Sequence, residues 1–160
     1  MVTLFLRYCG YSNKVGSMFR KLTDYVFVAP QISLEAVDAA KAEGVTLIVN
    51  NRPEDESADQ TPGPDIEAAA RAAGLDYVAI PVTHAGFAEW QVAAMAEAMD
   101  EAEGKILAYC RSGTRSTLLW ALARASQGDH PAVLAEQAAD AGYDLTPVTA
   151  MMDLLRGRAS

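Results

Sequence analysis

The sequence predicts a three-layer α/β/α domain built round a small, mainly parallel, four-stranded sheet. Short β-branched runs alternate with alanine-rich helical stretches, and glycine or proline marks almost every junction between them. Strands that alternate with helices pair in parallel through right-handed crossovers, which places helices on both faces of the sheet. A chain of 160 residues, 51% apolar and 21% charged, suits one soluble globular domain with a single core.

The first strand–helix pair lies just after an irregular N-terminal stretch. The run DYVFVAP (24–30) predicts a strand that proline stops, and QISLEAVDAAKAEG (31–44) predicts a helix. Ser33 is the expected N-cap of that helix, and Gly44 its end. Residues 1–17 have no clear period, so we predict a flexible N-terminal extension there and one domain over 18–160.

The strand–helix pair then repeats along the chain. VTLIVNN (45–51) predicts a second strand, and PGPDIEAAARAAG (62–74) predicts a helix with Pro64 in its first turn. The same patterns predict the remaining elements: strand 75–82, helix 87–104, strand 105–110, and helical segments 114–128, 131–143 and 145–158. Trp90 and Trp120 have helical spacing typical of core residues.

The charge balance excludes several classes of partner. Thirteen basic residues against 21 acidic ones give a net charge of −8, without the basic stripe that nucleic acid requires. No run approaches the roughly 18 apolar residues of a membrane span, so we expect a cytoplasmic protein with neither nucleic-acid nor membrane partners. An anionic small molecule would have to bind at a local positive site. Nothing in the sequence specifies an oligomeric state.

The stretch YCRSGTRS (109–116) has the composition of such a site. It joins the strand KILAYC to a helix, and ligands of parallel sheets bind beyond the carboxyl ends of the strands. A thiolate there is stabilised by the helix N-terminus and by neighbouring cations, so Cys110 is the predicted nucleophile. The other cysteine, Cys9, lies in the tail, and two such cysteines do not indicate a disulfide framework.

Each residue of this loop has an expected role. Successive main-chain N–H groups would surround an oxyanion above the sulfur, with Gly113 supplying the positive φ that such a nest needs. Arg115 would hold two oxygens with its planar fork, and Ser116 would donate its hydroxyl to the thiolate or to a leaving group. The predicted anion-binding loop comprises Arg111, Ser112, Gly113 and Thr114.

Two further loops at the same edge of the sheet supply candidates for a general acid or for the pocket wall. One is THAGFAEW (83–90), with His84; solvent exposure or orientation of the loop are the other roles open to this histidine. The second loop carries the acidic cluster Glu54, Asp55, Glu56 and Asp59, from which we select Asp55. Asn51 and Arg52 either line the pocket or hold the turn together.

The motifs VNNRPEDE and YCRSGTRSTLLWAL, within a stretch from about Phe19 to Gly157, resemble the phosphatase-like domain family of beta-lactamase hydrolase-like proteins. The resemblance implies a protein-tyrosine-phosphatase-like fold. Members of the family are sometimes fused to a metal-dependent persulfide-oxidising domain, which suggests sulfide metabolism. The two histidines, His84 and His130, are not at ligand spacing, so we predict neither a metal site nor a cofactor.

The spacing of the cysteine loop distinguishes two chemistries. The loop C-x4-R also looks like that of rhodaneses, whereas tyrosine phosphatases use H-C-x5-R and an aspartate as general acid; here Tyr109 replaces that histidine. A tighter loop favours a single persulfide sulfur, and thiosulfate releases sulfite without a general acid. The leading hypothesis is therefore a sulfurtransferase that forms a persulfide on Cys110 from a sulfane donor. The alternatives are a phosphatase with a phosphocysteine intermediate, acting on a small anionic substrate, and a non-catalytic anion-binding module.

Overall fold

The computed structural model describes residues 18–159, and the predicted N-terminal extension therefore lies outside the described residues. A five-stranded sheet forms the middle layer, in the order β1-β2-β5-β3-β4. All neighbouring strands are parallel except β1, which is antiparallel to β2. The strands are β1 (Arg20–Lys21), β2 (Val26–Ala29), β3 (Val45–Asn50), β4 (Asp76–Ala79) and β5 (Lys105–Tyr109).

Six α-helices and a short 3₁₀ turn surround the sheet within the described residues. The helices are α1 (Leu34–Ala42), α2 (Gly63–Ala72), α3 (Glu89–Glu101), α4 (Thr114–Ser126), α5 (Pro131–Asp140) and α6 (Thr149–Ala159), with the 3₁₀ turn at Thr146–Val148. This confirms the three-layer α/β prediction and the helical C-terminal third. Between residues 18 and 159, no helix combines the length and apolar character needed to cross a bilayer.

Alternating side chains of the central strand point into two separate cores. Ile106 and Ala108 of β5 belong to the core under α3, α4, α5 and α6. Leu107 and Tyr109 belong to the core under α1 and α2. This period of two follows from the strand geometry, and it explains why KILAY is apolar almost throughout: both of its faces are covered.

The sheet has one strand more than we predicted. β1 is only two residues long and both residues are exposed and charged, so it carries none of the apolar alternation that marks a strand in sequence. Arg20 pairs with Val28 and Lys21 with Phe27 in an antiparallel ladder. The four predicted strands are all present, and the extra strand covers the free edge of β2.

The predicted helix boundaries have identifiable physical causes. The Ser33 side chain accepts a hydrogen bond from the Ala36 N–H at 3.2 Å and so caps α1 as predicted. His130 caps α5 in the same way, through Nδ1 and the Ala132 N–H. One core assignment is wrong: Trp120 is fully buried, but Trp90 in the first turn of α3 is 57% exposed.

Candidate functional site

The loop that follows β5 is attached to both neighbouring strands. The Cys110 N–H donates to the carbonyl oxygen of Ala29, at the end of β2. The Gln31 N–H donates to the carbonyl oxygen of Arg111, and the Asn51 N–H donates to that of Tyr109 at 2.8 Å. The loop therefore lies where the carboxyl ends of β2, β5 and β3 meet, the position expected for a site in a parallel sheet.

Cys110 lies at the floor of this loop. Its side chain is fully buried, yet it belongs to neither of the two apolar cores formed by the described residues. The Gly113 N–H donates to Cys110 Sγ over 3.1 Å. The sulfur thus faces the polar main chain of the loop, as a nucleophile requires, although it is buried as deeply as a core residue.

The loop offers several main-chain donors that the described residues leave unused. Within residues 18–159, no acceptor meets the N–H groups of Arg111, Ser112, Arg115 or Ser116. Gly113 takes φ +91° and reverses the chain between the strand and α4. Consecutive free N–H groups around such a left-handed residue form an anion-binding nest at a helix N-terminus. Of the predicted anion-binding loop, Arg111 and Ser112 keep their N–H groups free, whereas those of Gly113 and Thr114 donate to Cys110 Sγ and Ser112 Oγ.

Tyr143 covers the loop from the segment that follows α5. Its hydroxyl donates to the carbonyl oxygen of Ser112 at 3.1 Å, and burial raises the pKa of this phenol. A β-carbon on Gly113 would collide with the Tyr143 hydroxyl and would lie 3.0 Å from the ring carbon Cζ. Position 113 therefore requires glycine for two reasons: its φ is positive, and a β-carbon would not fit beside Tyr143. We did not select Tyr143 from the sequence, because nothing local links it to a loop 30 residues earlier.

Arg115 is fixed by a carboxylate from another loop. Its Nη1 and Nη2 donate to Glu56 Oε2 and Oε1 over 2.7 and 2.9 Å, and Nη1 also donates to the carbonyl oxygen of Val82. The hydrogen bond with Glu56, together with the nearby sulfur of Cys110, raises the pKa of Arg115. This guanidinium is consequently a permanent cation held beside the thiol.

These contacts leave one edge of the Arg115 guanidinium available. Arginine has five N–H donors. Glu56 accepts from two of them, one on Nη1 and one on Nη2, and the Val82 carbonyl oxygen accepts from the other N–H of Nη1. Nε–H and the second Nη2–H remain, and they lie side by side on one edge of the planar group. That edge matches the spacing of two oxygens on one phosphorus or sulfur atom. Glu56 can therefore stay bound while Arg115 holds an oxyanion.

Glu56 also binds Arg52, so that one carboxylate serves two guanidinium groups. Arg52 Nε donates to Glu56 Oε1 at 2.9 Å, and the other nitrogens of Arg52 donate to Gln31 Oε1 and Ser57 Oγ. The hydrogen bond from Arg115, reinforced by Arg52, lowers the pKa of Glu56 to about 2. Glu56 is therefore ionised at neutral pH and is unsuited to protonating a leaving group.

Asn51 and Ser116 form a buried pair beneath the site. Ser116 Oγ donates to Asn51 Oδ1 at 2.8 Å, and Asn51 Nδ2 donates to the carbonyl oxygen of Ile80. A hydroxyl has only one proton to donate, so in this structure Ser116 does not donate to Cys110 as we expected. Of the two roles left open for Asn51 and Arg52, the structure shows both residues bracing the loops.

The two acid candidates lie at the rim of the site. His84 is exposed and follows, by two residues, the carbonyl of Val82 that binds Arg115. Asp55 is exposed as well, and it takes φ +61° in the left-handed region, which aspartate tolerates better than most residues. The member of the acidic cluster that reaches Arg115 is thus Glu56, not the selected Asp55. Glu54 instead accepts from the Gly63 N–H and caps α2.

We predict that Gly113→Ala destabilises the protein more than Gly128→Ala does. Both glycines have a left-handed φ, which costs an L-residue about 1–2 kcal/mol, but a β-carbon on Gly128 meets no atom within 4 Å. The collision with Tyr143 should add about 1–3 kcal/mol at Gly113 only. Urea unfolding of the two variants measures the difference. In a Tyr143→Ala background the two substitutions should cost the same; an unchanged difference there would contradict the contact.

We predict that Glu56→Gln removes an acid-dependent part of the stability. Because the folded pKa of Glu56 lies below its ordinary value of 4.5, its ionised form stabilises the protein above that pH. The contribution, at most about 3 kcal/mol, is lost as the pH falls from about 5 towards about 2. The unfolding free energy of the variant should change less than that of the wild type over this range. Glu67→Gln, which removes an exposed ion pair with Arg71, should keep the wild-type dependence.

Comparison with known proteins identifies the family of this chain. The family model described as "Beta-lactamase hydrolase-like protein, phosphatase-like domain" matches residues 18–127. A beta-lactamase hydrolase-like protein of Agrobacterium fabrum is 33% identical over 108 residues, which are 68% of this chain and 25% of that protein. One from Xylella fastidiosa is 42% identical over 86 residues, 53% of this chain and 20% of that protein. The matches thus span only a fifth to a quarter of these curated relatives.

Solved structures share the fold over nearly the whole chain. A candidate phosphatase from Neisseria meningitidis is 28% identical, with a TM-score of 0.76 over 88% of this chain and 99% of that one. P. aeruginosa TpbA, solved with pTyr, is 18% identical with a TM-score of 0.63 over 91% of both chains. The first supports the phosphatase-like assignment, and the second shows the fold alone. Neither comparison supports the sulfurtransferase that we ranked first. The chain belongs to the phosphatase-like domain family of beta-lactamase hydrolase-like proteins and has a protein-tyrosine-phosphatase-like fold.

Proposed function

We propose that this protein is a phosphatase that hydrolyses phosphate monoesters through a phosphocysteine on Cys110. The observation that carries the proposal is the supply of unused donors around the sulfur. Four main-chain N–H groups of the loop have no acceptor among residues 18–159, and the free edge of Arg115 faces the Cys110 sulfur with two N–H groups that no oxygen of these residues accepts. A phosphoryl group brings three terminal oxygens that can use such a set of donors.

The donor count revises our argument from loop length. We expected the short C-x4-R spacing to favour a single persulfide sulfur, because the ring of N–H groups would be tight. A persulfide sulfur is a weak acceptor, however, and would use fewer of these donors than a phosphoryl group with three terminal oxygens. Together with the phosphatase-like family, this favours phosphate over sulfur chemistry.

The proposed reaction has two displacement steps. The thiolate of Cys110 attacks phosphorus, the S–P bond forms, and the bond from phosphorus to the leaving oxygen breaks. Water then attacks the phosphocysteine, the P–S bond breaks, and inorganic phosphate and the thiolate are released. Arg115 and the loop N–H groups stabilise the charge on the terminal oxygens in both steps, while Glu56 keeps Arg115 in place.

The leaving oxygen needs a proton when it departs as an alkoxide or a phenoxide of high basicity. Glu56 cannot supply that proton at neutral pH, since its pKa is about 2. We propose His84 for this role, because an imidazole can carry a transferable proton near neutral pH and the loop of His84 begins at the Arg115 contact. Asp55 is the second candidate, on the loop that carries Glu56.

The test of the nucleophile uses para-nitrophenyl phosphate and mass spectrometry of the acid-quenched protein. We expect turnover that vanadate inhibits, one added phosphoryl group on the peptide containing Cys110, and no turnover by Cys110→Ser. Arg115→Lys should lower kcat/KM by about 10²-fold or more, because an ammonium lacks the planar fork. Arg71→Lys, the same exchange at an exposed position on α2, is the matched control and should retain wild-type turnover.

Two results would contradict the proposed phosphatase. One added sulfur on Cys110 after incubation with thiosulfate, without turnover of phosphate esters, would favour the sulfurtransferase hypothesis instead. Binding of phosphate without turnover of either substrate would instead identify a non-catalytic anion-binding module.

The test of the acid compares substrates with good and poor leaving groups. If His84 is the acid, His84→Ala should lower kcat for phenyl phosphate by about 10²-fold and leave kcat for para-nitrophenyl phosphate much less affected. Asp55→Ala should lower both rates equally or not at all. The reverse pattern would assign the proton to Asp55, and equal loss with both substrates in His84→Ala would exclude His84 as the acid.

A further inference from the structure

The side chains of two arginines near the thiol, Arg20 and Arg111, have no role in the mechanism proposed above. Between residues 18 and 159, the arginines with an ion pair to another described residue within 4.0 Å include Arg52, Arg71, Arg115, Arg124 and Arg158. Arg20 and Arg111 have no ion pair among these residues, and both are exposed. A protein of net charge −8 offers many carboxylates, so two guanidinium groups without an ion pair, one in the cysteine loop and one next to the segment that covers it, call for an explanation.

Arg111 stands at one side of the loop. It follows Cys110 directly. The hydrogen bond with Ser57 is the main cause of the lowered pKa of Asp59, and the positive charges of Arg52 and Arg111 add a smaller effect. Arg111 nevertheless forms no ion pair with Asp59 or with any other carboxylate of residues 18–159. The Arg111 N–H is also one of the four main-chain donors without an acceptor among residues 18–159.

Arg20 stands next to the segment that covers the loop. A β-carbon on Gly142 would lie 3.9 Å from Arg20 Nη1, and the charge of Arg20 acts on the neighbouring Tyr143 phenol. That phenol in turn donates to Ser112 of the loop. The ladder of β1 with β2 fixes the main chain of Arg20 opposite Val28, which is the residue before the last one of β2.

We infer that Arg20 and Arg111 form a second anion subsite, for a substrate that carries another acidic group besides the phosphate that is hydrolysed. The inference rests on the proposed phosphatase function and narrows its substrate class to polyanionic phosphate esters. Arg115 and the loop N–H groups hold the reacting phosphate. The two exposed arginines bind the second phosphate or carboxylate, and they give an acidic protein a local field that attracts it.

The experiment separates binding from turnover. Wild-type protein is titrated calorimetrically with phenylphosphonate and with para-benzenediphosphonate, which are not hydrolysed. In parallel, kcat/KM is measured for phenyl phosphate and for hydroquinone bisphosphate. We expect the member of each pair with two phosphorus groups to be preferred, and the preference to weaken as salt is added. Arg20→Gln should reduce the preference about fivefold, and Arg20→Gln with Arg111→Gln should abolish it.

The controls and outcomes keep the two proposals apart. Arg71→Gln removes the same net charge from an exposed arginine of α2 and should keep the wild-type preference; a loss there would mean that only overall charge matters, which overturns the subsite. Equal affinity for both phosphonates, or a preference that survives the double substitution, also overturns it. Preferential binding without phosphate release from either ester would refute the phosphatase and leave the subsite standing. Turnover of both esters at equal kcat/KM would overturn the subsite and leave the phosphatase standing.

Discussion

The ion pair between Arg115 and Glu56 sets the geometry of the whole site. Arg115 starts a helix and Glu56 lies on a loop after β3, so their bidentate contact joins two elements that the chain separates by 59 residues. Because Glu56 takes the end of the guanidinium, the adjacent edge is turned towards the thiol loop with two donors free. A carboxylate beside an anion site would ordinarily oppose anion binding. Here Arg52 shares that carboxylate, and the three groups together keep one positive charge.

The fold places this positive charge at the sheet edge, on loops that are held by strands and a helix. The carboxyl ends of β2, β5 and β3 meet at one edge, and the buried Asn51–Ser116 pair connects the end of β3 to the first turn of α4. Each loop therefore approaches the sulfur from a rigid strand or helix. Such support is what a nucleophile needs when its donors must be in position before the substrate arrives.

Much of the fold could be predicted from the sequence, since strong local patterns coincide with the elements. The strand before Cys110 and the helix after it, the Ser33 cap and the glycine turns all depend on neighbours in the chain. The cysteine loop could be found for the same reason. Tyr143, the pairing of Glu56 with Arg115 and the exposure of Trp90 could not, because they depend on which distant segments meet. The sequence also did not show which of the four clustered acids binds Arg115. Asp55, immediately before Glu56, has a left-handed φ that changes the direction of the chain, and no residue pattern predicts that conformation.

The short edge strand β1 has a consequence beyond the site. A sheet edge with open main-chain groups is a template on which another molecule can add a strand, and such pairing leads to aggregation. β1 occupies the β2 edge with only two residues, and both side chains, Arg20 and Lys21, are exposed cations. An incoming strand would find little ladder to extend, and it would have to approach the charge of Arg20 and the ion pair of Lys21 with Asp24. Arg20 would thus also make this sheet edge a poor template for aggregation, in addition to its place in the proposed anion subsite.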